Sequence, residues 1–389
     1  MLRKLLVLAG AIVIPICLGG VYAWSACVLP LRAEYGYSST QTQIIFGAAI
    51  AVFTLAMTWA GRLQPRYGPR CNAVVCALLF GCGYLAASWS PGRFALVFLG
   101  ISVLGGAGIG FGYVAALATP LQWFPRHKGV VTGCAAAGFG GGAIITAWCV
   151  EHLLAAGVRL PGVFQIIGLA SSAVILVCAL SLRMPHRAAV VHVPPALGVR
   201  TVLGQRLFWV LSAGMWSGTF AGLLVIGNLK SIGLEAGLSA TQANLAISLF
   251  ALGNAAGRVS WGQLYDKLGY RMIPWSLAFL CASLLLLSVL HSAGAVFAIV
   301  TLLIGFGFGA CFVVYAAHVA ARYGTAQFSA VYPLVFVAYG IAGITGPLLG
   351  GWIHDWAGNY WWAIVIAAVI VAAGTLVCST EPRRDCVCE

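Results

Sequence analysis

The chain has 389 residues and a formal net charge of +13, yet only 7% of its residues are charged and 61% are hydrophobic. A water-soluble domain carries roughly 25% charged residues, so the composition excludes one and indicates a protein that resides in a lipid bilayer.

A membrane-crossing helix needs about 20 mostly apolar residues. Twelve segments qualify, near 5–29, 40–61, 71–90, 94–119, 129–151, 162–183, 206–230, 240–262, 272–291, 294–319, 328–351 and 359–380, and these are spans one to twelve in chain order. The expected fold class is an all-α membrane protein of twelve transmembrane helices. The opening "MLRKLLVLAGAIVIPICLGGVYAWSAC" has the basic start and apolar run of a signal peptide. It is read instead as span one, because its removal would leave eleven spans and a C-terminal tail on the wrong side of the charge bias. Trp24 also occupies a lipoprotein-like box that prefers an aliphatic residue.

Between spans, "GRLQPRYGPR", "WFPRHKG" and "YDKLGYR" combine Gly, Pro and charge, which is where helices should stop. Only 184–205, "PHRAAVVHVPPALGVRTVLGQR", is long enough to link two halves. The expected organisation is a six-helix half over 1–183, a cytoplasmic linker over 184–205, and a second six-helix half over 206–389 that ends in a short cytoplasmic tail.

Orientation follows from Lys and Arg. With the N-terminus inside, one face holds Arg3, Lys4, Arg62, Arg66, Arg70, Arg126, Lys128, Arg183, Arg187, Arg200, Arg206, Lys267, Arg271, Arg322, Arg383 and Arg384, and the other holds Arg32, Arg93, Arg159 and Lys230. Sixteen against four is a positive-inside distribution, so both termini are expected in the cytoplasm and the plasma (inner) membrane is the expected location. The same asymmetry accounts for the net charge through membrane lipid, without nucleic acid as a partner.

Thirteen cysteines raise the question of metal or disulfides. Cys17, Cys82, Cys178 and Cys281 sit singly within spans and read as small apolar side chains; Cys386 and Cys388 form a lone pair without a partnering cluster. His127, His152, His186, His192, His291 and His354 lie at span ends or in loops. A membrane enzyme with a metal centre needs clustered ligands, so neither an enzyme nor any metal or cofactor is expected.

The halves repeat. Gly61-Arg62-Leu63-Gln64-Pro65-Arg66-Tyr67-Gly68-Pro69-Arg70 aligns with Gly262-Gln263-Leu264-Tyr265-Asp266-Lys267-Leu268-Gly269-Tyr270-Arg271, each after the second span of its half. Gly61, Arg62, Arg66, Gly68, Arg70, Gly262, Asp266, Gly269 and Arg271 belong to the two copies of this loop, and its similarity to the corresponding loops of major facilitator carriers implies that they form the cytoplasmic gate. "GAGIGFGYVAALATPLQWFP" in span four is echoed by "GFGFGACFVVYAAHVAARYG" in span ten, with Tyr113 and Tyr315 in comparable settings. Six plus six in parallel is the arrangement of major facilitator carriers, which bind near the membrane midplane.

A more specific resemblance is carried by "GGVYAWSACVLPL" in span one, "GAGIGFGYVAALATPLQWFPRHKGVVTGCAAAGFGGGA" across spans four and five, and "GNAAGR" in span eight. These resemble the oxalate:formate antiporter family of major facilitators, which includes bacterial monocarboxylate carriers and is related to eukaryotic proton-coupled ones. The resemblance spans essentially the whole chain and implies a carrier for small carboxylate anions; a monomer is expected. This chain departs from the family's pattern at two places. Pro65 stands where the first loop usually has an acidic residue, and span eleven lacks the basic residue of oxalate-exchanging members, which argues against substrates with two carboxylates.

Arg258 is the only Lys or Arg placed well inside a span, and no Asp or Glu accompanies it there, Glu151 standing at the very end of span five. An intramembrane charge costs at least about 2.5–3.5 kcal/mol on insertion scales, so it usually faces a cavity and acts. The alternative is snorkelling, but the loop begins near Asp266, eight residues or about 12 Å away, beyond the reach of one side chain. A guanidinium offers a planar fork that fits a carboxylate. Asn254 lies four residues earlier on the same helical face, and resembles a neutral version of the acid that eukaryotic relatives carry there. The repeat puts Met57 opposite Arg258 in the first half.

Tyr22, Trp24, Tyr113, Tyr315, Tyr332 and Phe336 are the candidates for the remaining wall of an apolar pocket with a few polar tips; each could equally pack or face lipid. His318, the one histidine clearly within a span, is either a packing residue or the acceptor of a co-transported proton. A channel would want a ring of equivalent groups, and a non-transporting sensor stays open. The expected function is transport of lactate- or pyruvate-like monocarboxylates with proton coupling, with carboxylate exchange as the alternative.

Overall fold

The computed structural model describes residues 2–37, 39–90, 92–185, 197–289 and 294–380. Arg187, His186, His192, His291, Arg383, Arg384, Cys386 and Cys388 lie outside the described residues. Lipid offers no hydrogen bonds to a bare backbone, so every spanning segment must satisfy its own. The described residues accordingly form helices.

These are α1 (Leu2–Leu18), α2 (Ser25–Tyr35), α3 (Ser39–Ser88), α4 (Phe94–Val97), α5 (Gly106–Trp123), α6 (Lys128–Ala155), α7 (Leu160–Ala179), α8 (Val199–Leu203), α9 (Arg206–Glu235), α10 (Ala240–Leu268), α11 (Met272–Val289), α12 (Gly294–Ala310), α13 (Val314–Tyr323), α14 (Phe328–Ala357) and α15 (Trp361–Ser379). Among the described residues, ten stretches are long and apolar enough to cross a membrane, and two of them, Ile44–Ser88 and Thr241–Val289, run for 45 and 49 residues. Each long stretch is a pair of spans folded at a glycine. α3 breaks at Gly68, with φ 80° and ψ 166°, and α10 gives way to α11 through Gly269, with φ 64°. Only a residue without Cβ takes such angles cheaply. Eight single spans and two double ones make twelve.

Three spans are less regular than their apolar patterns predict. Span one is α1 and α2 joined by the tighter helix Gly19–Trp24. Span four is α4 and α5 joined by the wider π-helix Phe98–Gly105, whose buried Ser102 hydroxyl donates to the Ile45 carbonyl at 2.8 Å. Span ten is α12 and α13, parted at Cys311–Val313, where each N–H reaches back three residues, to Phe308, Gly309 and Ala310. Such local retightening changes which face a side chain meets.

Two compact units result. The first is Met1–Pro125, Gly138–Ala196 and Thr325–Leu334; the second is Arg126–Ala137, Leu197–Gly324 and Val335–Glu389. Thus the first turns of α6 belong to the second unit, and the start of α14 to the first. Inside the first unit α3 packs along α5 and α7; inside the second α10 packs along α12, and α11 along α15.

Glycine sets how closely these helices approach, since small residues let backbones touch in lipid. A methyl group on Gly106 would strike the Ala49 carbonyl, and one on Gly110 the Phe53 carbonyl and the Met57 amide. In the second unit the same places are Gly305 against the Phe250 carbonyl, and Gly309 against the Asn254 carbonyl and the Arg258 amide. Met57 therefore holds in the first unit the position Arg258 holds in the second. The register also corrects the expected pairing of aromatics: three residues beyond Gly110 and Gly309 stand Tyr113 and Phe312, so the counterpart of Tyr113 is Phe312 and not Tyr315.

Gly305→Ala should destabilise the protein by about 1–3 kcal/mol, because its methyl must displace backbone. Gly47→Ala, where nothing lies within contact range, should leave stability unchanged or slightly raised. Thermal unfolding midpoints of the two variants in one detergent check the contrast.

Candidate functional site

The helix that carries the charge begins with a capping box. The Gln242 N–H donates to Ser239 Oγ at 3.3 Å, and the Ser239 N–H donates to Gln242 Oε1 at 2.9 Å, which fixes the first turn of α10. Nineteen residues past Ser239, Arg258 is 1% exposed and Asn254 is 7% exposed. Arg258 Nε donates to Asn254 Oδ1 at 2.7 Å, and Nη1 donates to the backbone carbonyl of Ala136 on α6. The guanidinium carbon stands 4.3 Å from the centre of the Phe312 ring, a cation–π arrangement.

Two glycines let the neighbours come this close. A methyl on Gly133 of α6 would strike the Arg258 carbonyl, and one on Gly309 of α12 would strike the Arg258 amide. Phe312 is in turn packed edge-on by Phe308 at 5.1 Å and Tyr339 at 5.2 Å, with Phe336 at 6.2 Å. Among the described residues, Nη2 has no hydrogen-bond partner and no carboxylate pairs with the guanidinium. Its fixed partners are all uncharged, so a full positive charge remains for an anion.

Eight residues further along α10, Asp266 grips the same helix α6. Its Oδ1 accepts the Gly129 N–H at 2.6 Å and its Oδ2 accepts the Val130 N–H at 2.9 Å. A carboxylate there satisfies amides that a helix start leaves unpaired and meets the positive end of its dipole. Gly129 and Gly262 press backbone to backbone beside it. In the first copy of the motif, where Pro65 replaces the acid, Gly61 abuts the Ser329 carbonyl and Gln64 Oε1 accepts from Asn72 Nδ2 at 3.1 Å.

The other motif residues divide. Arg70 donates from Nη2 to the Leu180 carbonyl at 2.8 Å and from Nε to the Ala179 carbonyl at 3.3 Å, closing the C-terminus of α7. In the second copy Tyr270 does this work, donating to the Cys378 carbonyl at the end of α15 at 2.7 Å. Arg62, Arg66 and Arg271 are exposed, and Gly68 and Gly269 serve as the two turns.

The predicted aromatics are divided between the two units, Tyr22, Trp24, Tyr113 and Tyr332 in the first and Tyr315 and Phe336 in the second. In the first unit the Tyr113 ring meets Phe53 at 5.4 Å and Phe139 at 5.3 Å, with Tyr22 also on Phe139 at 5.3 Å. Trp24 Nε1 donates to the Thr42 carbonyl at 2.9 Å, and its ring lines a crevice with Phe46, Tyr84, Ile101 and Phe164 that carries no charged residue. Tyr332 stacks on Phe328 at 5.0 Å. In the second unit Tyr315 faces Gly214, beside the Cys378 thiol. His318, 8% exposed, has Nδ1 3.0 Å from the Tyr265 hydroxyl of α10 and its ring 4.8 Å from that of Tyr270. Of the predicted set, Arg258, Asn254 and Phe336 come together around Phe312. Phe312 and the Ala136 carbonyl were not predicted; the glycine register gives the first, and no local sequence signal gives the second.

The Major Facilitator Superfamily model matches residues 10–235 and 215–385. The chain belongs to the Major Facilitator Superfamily. Within this superfamily it is 27% identical over 379 residues to the oxalate:formate antiporter of Oxalobacter formigenes, covering 92% of this chain and 87% of that one. It is 24% identical to monocarboxylate transporter 13 of Bos taurus, covering 91% and 83%. The crystal structure of the superfamily transporter FucP in the outward conformation superposes with a TM-score of 0.74 at 15% identity, over 98% of this chain and 100% of that one. Fold and family are those of multi-pass membrane transporters.

For this superfamily member, the grip on α6 predicts a graded response. Asp266→Asn keeps one acceptor and Asp266→Ala keeps none, so amide hydrogen exchange at Gly129 and Val130 should rise in that order. The Ala variant should lose about 0.5–2 kcal/mol of stability, the range for an N-terminal cap.

Proposed function

We propose that the protein is a secondary active transporter that moves small monocarboxylates of the lactate or pyruvate type across the plasma (inner) membrane by alternating access, with Arg258 as the carboxylate anchor. Both termini are cytoplasmic in this reading, and 1–183 and 206–389 are its two six-helix halves. The observation that carries it is a fully buried guanidinium whose partners are an amide oxygen, a backbone carbonyl and an aromatic face. Such a group attracts one carboxylate oxygen pair through the edge that includes Nη2, while Phe312, Phe336 and Tyr339 offer the organic remainder an apolar surface. The likeness to monocarboxylate transporters supports the same substrate class.

Exchange of carboxylates is the second reading, favoured by the likeness to the oxalate:formate antiporter. Against a two-carboxylate substrate stands charge counting: one cation balances one carboxylate, and a second buried without a partner is costly. Proton coupling is proposed because carrying a lone anion into a negative interior costs about 2.3 kcal/mol per 100 mV. His318, tied to α10 through Tyr265, is the candidate acceptor.

One uptake panel in proteoliposomes tests the reading: formate, acetate, lactate, pyruvate, oxalate and succinate, each with and without an inward proton gradient. Saturable uptake of monocarboxylates, competed weakly by oxalate and succinate, is the expected outcome; tight oxalate binding would point to a second cation. Arg258→Gln should abolish saturable flux in folded protein, and Arg258→Lys should restore little, because a point charge lacks the fork. Near-normal uptake by the Gln variant would return Arg258 to a purely structural role. Gradient-driven accumulation that survives His318→Ala would keep the coupling and remove His318 as the acceptor.

A further inference from the structure

A carrier with a cationic anchor must close over that cation when it carries nothing, or it can only exchange one anion for another. Burying an unpaired guanidinium is costly. Here the guanidinium is enclosed, 1% exposed, and its Nη1 donates a hydrogen bond to the carbonyl of Ala136.

We infer that the Ala136 carbonyl is a built-in stand-in for a carboxylate oxygen, and that Gly133 is the positioning residue that delivers it, so that this carrier returns empty and supports net transport. The inference rests on Arg258 being the substrate anchor. Substrate and α6 compete for one donor edge of the guanidinium: with a carboxylate bound, Nη1 and Nη2 turn to the ligand; without one, Nη1 turns to Ala136.

Three observations converge on α6. Ala136 lies one helical turn beyond Gly133, and at Gly133 even a methyl group would strike the Arg258 carbonyl. Asn254 takes Nε and Phe312 covers one face, so the fork is held with its Nη edge towards α6. Asp266 holds the first amides of the same helix, which keeps α6 seated while the carbonyl is used. None of these partners adds a negative charge at the guanidinium. The stand-in therefore satisfies a donor without neutralising the anchor, and a carboxylate, with its full charge, displaces it.

The test compares two kinds of flux in the same proteoliposomes: net uptake of radiolabelled lactate into empty vesicles, and exchange into vesicles preloaded with unlabelled lactate. The wild-type protein should show both. Gly133→Ala pushes α6 off α10 and should lower net uptake relative to exchange by about tenfold, the worth of one hydrogen bond to a charged group. A parallel fall of both fluxes, or no fall in either, overturns the inference, as does wild-type protein that only exchanges.

A second measurement is independent of substrate. In folded, substrate-free protein, Arg258→Gln should raise amide hydrogen exchange across residues 129–137, because the tie to Ala136 is gone. Unchanged exchange there overturns the stand-in whatever the transport assay gives. Absence of flux with every carboxylate, together with raised exchange, would instead reject the proposed substrate class and leave the tie standing.

Discussion

One buried positive charge organises the second unit. Arg258 sits at a depth where charge is expensive, and among the described residues no carboxylate answers it. Its surroundings supply only partial compensation: a side-chain amide oxygen on its own helix, a backbone carbonyl on α6 and the face of an aromatic ring. For the proposed carboxylate anchor that incompleteness is what matters. A paired aspartate would make the site neutral and indifferent to anions, whereas dipoles orient the fork and leave its charge available. The helices on both sides are brought to Arg258 by glycine, because any side chain at Gly133 or Gly309 would collide with the α10 backbone.

The two units make the chemistry easier to see because they share a scaffold. Gly110 meets Phe53 and Met57 as Gly309 meets Asn254 and Arg258. At equivalent places one unit thus has Phe53, Met57 and Tyr113, and the other Asn254, Arg258 and Phe312. Phe53 and Tyr113 of the first set form an aromatic cluster with Phe139; the second set holds a cation beneath a ring. Backbone approach is common to both and the side chains decide the outcome. The motif after the second span behaves likewise: Arg70 closes α7 in one unit, and Tyr270 closes α15 in the other.

The spans, the repeat and the charge were legible in the sequence because each rests on a strong local term. Apolar runs of bilayer length, turn glycines and a lone arginine are visible without tertiary structure. The breaks in spans one, four and ten were not, since an apolar run looks the same whether its backbone is α, tighter or wider. The partners of each aromatic were not legible for a related reason. Tyr315 and Tyr332 are as aromatic as Phe312, but their direction depends on helix phase, and the break at Cys311–Val313 changes phase within three residues. The Ala136 carbonyl has no side-chain signature at all. Only its neighbour Gly133 leaves a trace, and that trace lies within a glycine-rich span where many positions look alike.

The relation between α10 and α6 is carried almost wholly by backbone on one side. Asp266 takes two amides from the start of α6, and Arg258, two turns earlier on α10, gives a proton to one of its carbonyls. A helix can answer both signs because its first amides are unpaired donors, while a carbonyl oxygen further along has a second lone pair to offer. Arg258 and Asp266 have opposite charges on one helix, yet each finds its partner on α6. The division matters to the proposed anchor because a direct ion pair would neutralise the guanidinium. Holding the acid at the helix end, where dipole and amides keep it occupied, leaves the cation answered by uncharged groups alone, of which the Ala136 carbonyl is the one α6 supplies. The grip on the amides and the contact to the carbonyl thus lie on the same pair of helices, and in the proposed cycle a carboxylate substrate contests only the second.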